Sequence, residues 1–267
     1  MPVLLDPQRL WGMMLRHWYL LRSSWPRILE LAYWPTFQLL LWGFITTFFL
    51  THSSWVAQAA GVLISAVLLW DVLFRSNLGL SLMFLEEMWA RNLGQLFISP
   101  LRPLEMVGAL MVMSFLRTII SVTPAALLAL PFFDVWIFDL GLSLVAFFVN
   151  LMVMGWAVGI LVSALVLRLG LGAESLAWLG IFLVAPISGI YYPIDVLPDW
   201  LEPVAWSLPS SYVFEGMRAV LFDNVFRWDL FAGAVGLNVL YLIFCTGVFL
   251  YLFGVARKRG LLLQQGE

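Results

Sequence analysis

Long apolar runs alternate with short polar segments along almost the whole chain. Six of these runs approach or exceed the roughly 20 residues that a helix needs to cross the hydrocarbon core of a bilayer. They cover residues 31–50, 56–74, 106–133, 140–167, 176–192 and 230–255, and a continuation toward Phe84 is the alternative end of the second run. The pattern predicts an all-α membrane protein in which residues 31–255 form one domain of six transmembrane helices, without a separate soluble domain.

An amphipathic segment within residues 1–30 precedes the first run. Asp6 followed by Pro7 is typical of a helix start. Asp6 can accept a hydrogen bond from the first turn as the N-cap residue, and a proline at the first helical position loses no helical hydrogen bond. At about 100° per residue, apolar and basic residues fall on nearly opposite faces. The apolar face holds Leu10, Met14, Trp18, Leu21 and Trp25, and the basic face holds Arg9, Arg16 and Arg27. We predict an interfacial helix in the headgroup plane; a lead-in helix packed on the membrane domain fits the same pattern.

Basic residues are distributed unevenly between the predicted loops. If the N-terminus is inside, eleven of the 14 Lys and Arg residues fall on the cytoplasmic side, and only Arg218 and Arg227 fall outside. Arg117 lies within the third run. The positive-inside rule therefore predicts that both termini are cytoplasmic, including a basic tail at residues 256–267.

The composition and motifs of the chain argue against nucleic-acid binding, metal binding and catalysis. The chain is 63% hydrophobic and 11% charged, with a net charge of −2, so it has no electrostatic footprint for nucleic acid. Its single cysteine, Cys245, has no partner for a disulfide, and the sequence predicts no metal site. No phosphate-binding loop and no protease, hydrolase or kinase signature occurs in the sequence. We therefore expect no catalytic site and no cofactor in this chain, which disfavours an intramembrane enzyme.

Five side chains stand out at membrane depth. Asp71 precedes Arg75 by four residues, which favours a local ion pair on one helix face. Arg117 lies about 16 Å into the third run and needs a partner, for which Asp71 is the first candidate. We interpret this trio as an intramembrane ion pair or gate in preference to a direct substrate contact. Trp42 and Trp156 lie deeper than the usual aromatic belts and are candidates for path or dimer contacts.

A polar stretch between the second and third runs, residues 84–105, mixes charges with apolar residues at helical spacing. It predicts a helix with Glu86 and Glu87 in its first turn, ending before Ser99 and Pro100. Apolar groups beside charges on the cytoplasmic surface suggest a docking ridge for another protein. A helix that rests on the membrane is the alternative interpretation.

A second interrupted stretch, residues 187–218, lies between the fifth and sixth runs. Four prolines divide it into short helical pieces, yet it is too apolar for an ordinary solvated loop. Broken helices at membrane depth are stable only when packed in protein or lining a cavity, so we predict a re-entrant gate. Glu215 and Arg218 are three residues apart and can pair within it.

These segments together resemble the membrane subunits of the second, exporter-type family of ABC transporter permeases, which includes bacterial drug, polysaccharide and lipo-oligosaccharide exporters. The first stretch is similar to the family's coupling helix at Glu87, Gly94, Leu96, Phe97, Ser99, Pro100 and Leu101. The second is similar to its re-entrant hairpin at Gly189, Pro193, Pro198, Trp200, Leu201, Pro209, Glu215 and Arg218. The sequence departs from the family at residues 92–95, where many members have a basic residue, Gly and Thr.

The resemblance implies a permease that dimerises with a second copy of itself above two copies of a separate ATPase, which binds ATP and magnesium. It further implies a multi-pass protein of the bacterial cytoplasmic (inner) membrane that exports an amphipathic small molecule, lipid or drug-like compound. Polysaccharide or glycolipid export is the alternative substrate class. An ion-gradient-driven secondary transporter is the alternative of another class, and it would need midplane ion ligands or an inverted repeat.

The same resemblance assigns roles to individual residues. The predicted ATPase-coupling residues are Glu86, Glu87, Arg91, Leu93, Gly94, Leu96, Phe97 and Pro100. The predicted gate residues are Gly189, Pro193, Pro198, Trp200, Pro209, Glu215 and Arg218.

From the sequence we expect Phe97→Asp to uncouple ATP hydrolysis from transport, because a charge would replace an apolar docking group. The measurement is substrate export beside ATPase activity in the assembled complex, with membrane insertion checked separately. Unchanged export by this variant would contradict the docking role of Phe97.

Overall fold

A computed structural model describes residues 6–52 and 60–260, and the regular structure in these two ranges is entirely helical. The helices of the first half are α1 (Pro7–Arg22), α2 (Trp25–His52), α3 (Ala60–Trp89), α4 (Leu93–Ile98) and α5 (Pro103–Phe133). Those of the second half are α6 (Leu142–Leu169), α7 (Leu176–Val184), α8 (Glu202–Trp206), α9 (Pro209–Asp223) and α10 (Trp228–Lys258). Short 3₁₀ turns occur at Ile137–Leu140, Leu171–Ser175, Ala185–Ile187 and Ile194–Val196. Residues 56–59 and 261–267 of the predicted second span and tail lie outside the described ranges.

Five helices in the described part of the chain are long and apolar enough to cross a membrane, namely α2, α3, α5, α6 and α10. The predicted span at residues 176–192 is shorter than expected. Its helical segment is Gly172–Ile187, about 24 Å long, against roughly 30 Å of hydrocarbon core. Pro186 lacks an N–H donor and sits in a 3₁₀ turn, and Gly189 then adopts a φ of 72°, so the helix cannot continue to residue 192.

Of the two ends considered for the second span, residue 74 is too early and the continuation toward residue 84 is closer, because α3 runs without a break to Trp89. Glu86 and Glu87 therefore lie on the last turn of α3, and they are not the first turn of a separate helix as the sequence suggested. Arg91 ends α3 with a left-handed φ of 54°. The separate helix, α4, begins only at Leu93, and it stops before Ser99 and Pro100 as predicted.

Helix α1 begins as predicted, with the Asp6 side chain accepting a hydrogen bond from the Gln8 N–H group at 3.0 Å. The face that it buries consists of Met13, His17 and Leu21, against α2 and α5. Trp18 and Trp25, which the sequence placed on the apolar face, are exposed instead. Helix α1 thus packs on α2 and α5 through one face and exposes tryptophans on another, and its location in the headgroup plane stays a prediction.

Small residues allow α3 and α6 to approach closely at the centre of the fold. A Cβ atom on Gly155 would lie 2.7 Å from the carbonyl oxygen of Leu73 and 1.7 Å from Ser76 Oγ. One on Gly159 would lie 3.1 Å from the carbonyl oxygen of Asn77. The Gly-x-x-x-Gly spacing is thus an intramolecular packing face, and it positions α3 as the most deeply buried of the five long helices.

We predict that Gly155→Ala destabilises the protein by about 1–3 kcal/mol, because overpacking forces α3 and α6 apart. Thermal unfolding of the purified protein in nanodiscs measures the effect. Gly247→Ala in α10 is the matched control, since a Cβ there meets nothing within 4 Å. Equal stability of the two variants would contradict the close approach of α3 and α6.

Candidate functional site

The short helix α4 presents one exposed face and one buried face. Ile98 is 84% exposed, and it is flanked by the exposed residues Gln95, Ser99 and Pro100. Leu93, on the other face, is only 4% exposed and packs with the buried residues of α5. An exposed isoleucine on a six-residue helix is an apolar group available to another protein.

The structure changes the roles of several predicted coupling residues. Phe97 packs edge-on against Phe253 of α10, with ring centroids 4.5 Å apart, and Leu96 contacts the same cluster. Leu93 and Glu87 are buried inside the isolated subunit, so their predicted coupling role would act through the position of α4, and it stays a prediction. These residues hold α4 in place, while Ile98, which the sequence reasoning missed, is the exposed apolar group. The sequence could have indicated this exposure, because Ile98 lies nearly opposite the buried Leu93 on the helix.

Glu87 is the centre of a buried polar cluster that joins α1 to α3. Its carboxylate accepts hydrogen bonds from Arg16 Nε at 2.7 Å and Arg16 Nη2 at 3.1 Å. It also accepts a bond of 3.1 Å from the side chain of Asn92, which precedes α4. A carboxylate that is 1% exposed is stabilised by this bidentate pair. Glu87 therefore fixes the loop before α4 to the N-terminal helix.

His17 lies against this cluster with its side chain fully buried. Its Nε2 atom is 3.6 Å from Glu87 Oε1, which is too long for a hydrogen bond. Burial lowers the pKa of His17 from 6.5 to about 4; the Glu87 carboxylate opposes this shift, and Arg117 and Arg16 add to it. The imidazole is therefore neutral at pH 7.

The segment after α4 is also held by α1. Arg9 Nη1 donates to the carbonyl oxygen of Pro100 at 2.7 Å. Glu105, which is fully buried, accepts from the Asp6 N–H group at 3.0 Å and from the Arg102 N–H group at 2.8 Å. Helix α1 thus bridges both ends of the α3–α4–α5 connection, at Glu87 on one side and at Pro100 and Glu105 on the other.

Glu86 joins two further helices to the end of α3. Its carboxylate lies 3.4 Å from Arg27 Nη1 on the first turn of α2 and 3.8 Å from Arg117 Nη2 on α5. The partner of Arg117 is therefore Glu86, and the predicted pairing with Asp71 is wrong. Because α3 extends past residue 74, it carries Glu86 to within reach of Arg117. The sequence had placed Glu86 in the stretch after the second span.

The predicted Asp71–Arg75 pair is a weak one. Both side chains are buried, but neither oxygen of Asp71 accepts a hydrogen bond from the described residues. Nε and Nη2 of Arg75 are also without an acceptor there, so these atoms make no Asp71–Arg75 hydrogen bond. The guanidinium instead lies 5.7 Å from the centre of the Phe74 ring. Arg75 thus keeps unused hydrogen-bond donors.

Glu215 and Arg218 pair as predicted and close the interrupted segment. Arg218 Nη1 donates to Glu215 Oε1 at 2.9 Å, and Arg218 Nη2 donates to the carbonyl oxygen of Gly189. The same glutamate oxygen accepts the Ile194 N–H group at 3.0 Å. This bonding ties the turn after α7 to α9. Gly189 is required there because its φ of 72° is unfavourable for residues with a Cβ atom.

The remaining predicted gate residues lie around this clamp. Pro193 and Pro198 are exposed and begin short turns, and Trp200 is 74% exposed. Pro209 is buried at the start of α9, which packs on α3, α6 and α10. The segment therefore combines an exposed tip with a buried helical arm.

The two predicted tryptophans lie in different surroundings, and two asparagines form a further polar contact inside the bundle. Trp42 stacks on Tyr191 beside the clamp, with ring centroids 5.0 Å apart. Trp156 packs against the cores at both ends of the bundle. Asn238 donates to the side chain and backbone oxygens of Asn150 at 2.9 and 3.0 Å, which joins α6 to α10.

Comparison with known proteins identifies the family. The family model described as ABC-2 type transporter matches residues 13–222, which include α4, the carboxylates at the end of α3 and the Glu215–Arg218 clamp. No curated protein matches the chain.

We predict that acidification weakens the packing of α1. In the unfolded chain, His17 has its ordinary pKa of about 6.5, whereas in the folded protein its pKa is about 4. Between pH 6.5 and pH 4 protonation therefore favours the unfolded state, and the free energy of unfolding falls as the pH is lowered. Thermal unfolding at about pH 7.5 and about pH 5 measures the effect. His17→Gln, which cannot be protonated, is expected to lose less stability than the unmodified protein over the same interval. Parallel losses in the two proteins would contradict the assignment.

Proposed function

This chain belongs to the ABC-2 type transporter family, and on that premise we propose that it forms the substrate path of an exporter as a homodimer above two ATPase subunits. Membership of the family makes it the transmembrane subunit of an ABC transporter, a multi-pass integral membrane protein coupled to an ATP-binding subunit. Export direction, the two copies of each subunit and the bacterial inner membrane as location are our proposals. ATP and magnesium would bind to the partner ATPase.

The arrangement around α4 is the observation that carries the proposal. Helix α4 exposes Ile98 and connects directly to α3 and α5, and the carboxylates that end α3 bind arginines of α1, α2 and α5. A push on α4 by a partner would therefore move four helices together. Such a rigid-body shift is what a subunit without its own energy source needs, because the ATP-dependent states of the partner then bias its conformation.

We propose that α7 with its flanking turns provides the sixth crossing. Helix α1 contacts Pro100, and Phe253 in the last two turns of α10 contacts Phe97, so the described ends of the chain meet at α4. An even number of crossings satisfies this geometry. The uneven distribution of Lys and Arg supports a cytoplasmic position for this end.

The clamp between Glu215, Arg218 and Gly189 supports a gate at the other end. It holds the exposed tip at Trp200 to the buried arm α9, so the tip can move only together with α9. We propose that this unit closes the outer face of the path. The substrate would be an amphipathic small molecule or lipid, with a glycolipid as the alternative.

We predict that Ile98→Asp reduces association with the ATPase subunit about tenfold or more, since it replaces the exposed apolar side chain of α4 with a charge. Ile98 is a sharper test than Phe97, because Phe97→Asp would also break the packing on Phe253. The measurement is the amount of ATPase that co-purifies with the permease, followed by ATPase activity of the complex against a panel of lipids, drugs and glycans.

Val196→Asp is the matched control, because Val196 is 67% exposed but belongs to the proposed gate. It is expected to leave ATPase association unchanged. If Ile98→Asp binds the ATPase as well as this control does, α4 is not the docking site. If no ATPase co-purifies with the unmodified chain, a transporter driven by an ion gradient becomes the better explanation.

A further inference from the structure

A cavity of about 440 Å³ lies between α2, α3, α5 and α7. One part of its wall is basic and holds Arg27, Arg75 and Arg117. Another part is aromatic and holds Trp34, Phe74, Trp178 and Phe182. The lining thus combines basic and aromatic side chains, and the Arg75 guanidinium lies 5.7 Å from the centre of the Phe74 ring; this combination suits an amphiphile.

The arginines of this cavity have donors that the protein does not use. Arg75 is 9% exposed and Arg117 is 7% exposed, and in the described chain Nε of both residues finds no hydrogen-bond acceptor. The contact of Arg117 with Glu86, at 3.8 Å, is an ion pair without a hydrogen bond. Buried charged donors without acceptors are costly, so an acceptor supplied by a ligand would be strongly favoured.

The charges at the cavity favour an anion. Three arginines face two carboxylates, Glu30 and Glu86. Glu86 is shared between Arg27 and Arg117, and Glu30 is exposed. Asp71 is one turn from Arg75 but does not line the cavity. Asp71 and Glu30 both act electrostatically on Arg75, so the case for an anion rests on the unused donors of Arg75 and Arg117, which a phosphate group matches geometrically.

Three aromatic residues that line the cavity are also exposed on the outside of the helix bundle. Trp34, Trp178 and Phe182 line the cavity and are also among the exposed aromatic residues, so they form its rim between α2 and α7. The Phe74 ring lies further in, with its centroid 5.9 Å from that of Trp178 and 5.8 Å from that of Phe182. An apolar tail could lie along these rings while the headgroup reaches the arginines.

We propose that this cavity binds an amphiphile with a phosphate headgroup, whose phosphate accepts hydrogen bonds from Arg75 and Arg117 and whose tail lies on Phe74, Trp178 and Phe182. The inference deepens the proposed function, since it names the substrate class of the transport path. A phospholipid of the surrounding membrane carries the same chemistry as an exported phosphate-bearing amphiphile, and the two sources are separated by experiment.

Binding is tested on the full-length permease without the ATPase, by native mass spectrometry with phosphatidic acid and phosphatidylcholine of equal chain length. We expect phosphatidic acid to bind at least about tenfold more tightly than phosphatidylcholine, and Arg75→Gln and Arg117→Gln each to remove most of this preference. Arg257→Gln is the control, because Arg257 is an exposed basic residue outside the cavity, and it should leave the preference unchanged.

A second variant covers the case in which a buried arginine variant does not fold. Phe182→Ala removes an exposed rim residue without changing a charge, and it is expected to weaken binding of both lipids. Equal binding of the two lipids by the unmodified protein would overturn the proposal. A preference that survives both Arg75→Gln and Arg117→Gln in folded protein would also overturn it.

The source of the ligand is decided in the complex with the ATPase. If phosphatidic acid stimulates ATP hydrolysis and Arg75→Gln abolishes that stimulation, the cavity holds exported cargo. If binding depends on the arginines but hydrolysis does not respond, the cavity holds a resident phospholipid. Both results support the proposed binding site. Failure of the ATPase to associate would contradict the proposed function and leave the binding measurement intact.

Discussion

The two adjacent carboxylates on the last turn of α3 are the interaction on which the rest of the structure depends. Glu87 accepts two hydrogen bonds from Arg16 of α1, and Glu86 lies between Arg27 of α2 and Arg117 of α5. One helical turn thus gathers cations from three other helices. Because Glu87 is buried and its pair is bidentate, the loss of Arg16 would leave a buried carboxylate without its main partner, which makes this junction stiff.

The position of the junction shows how the six-residue helix α4 is connected mechanically to the long helices of the bundle. Helix α4 follows α3 directly, and α1 bonds to both sides of it, through Glu87 and through Pro100. Displacement of α4 therefore cannot be absorbed locally, and it reaches the helices that surround the basic cavity. Glu86 and Arg117 belong both to the junction and to the cavity wall, so the same contacts would connect partner docking to the substrate path.

Much of the fold follows from local patterns in the sequence. Hydropathy places the five long helices, the prolines place the short pieces around α8, and Asp6 with Pro7 starts α1. The Glu215–Arg218 pair is three residues apart on one helix, so spacing alone predicts it. Span ends are less certain because hydropathy averages over many residues; α3 passes residue 74, and the segment of α7 stops near Pro186.

The sequence by itself determined that the chain is a membrane protein and that residues 187–218 are broken by prolines, and it predicted a docking segment at residues 84–105, because composition, periodicity and backbone chemistry are local properties. Only the tertiary structure decided which charges meet. Arg117 pairs with Glu86, 31 residues away, because α3 and α5 pack side by side, and Arg16 meets Glu87 because α1 folds back onto the end of α3. Tertiary packing also turned Leu93 inward and Ile98 outward, and left Arg75 with unused donors beside a cavity. Such partnerships join distant parts of the chain, and no local pattern encodes them.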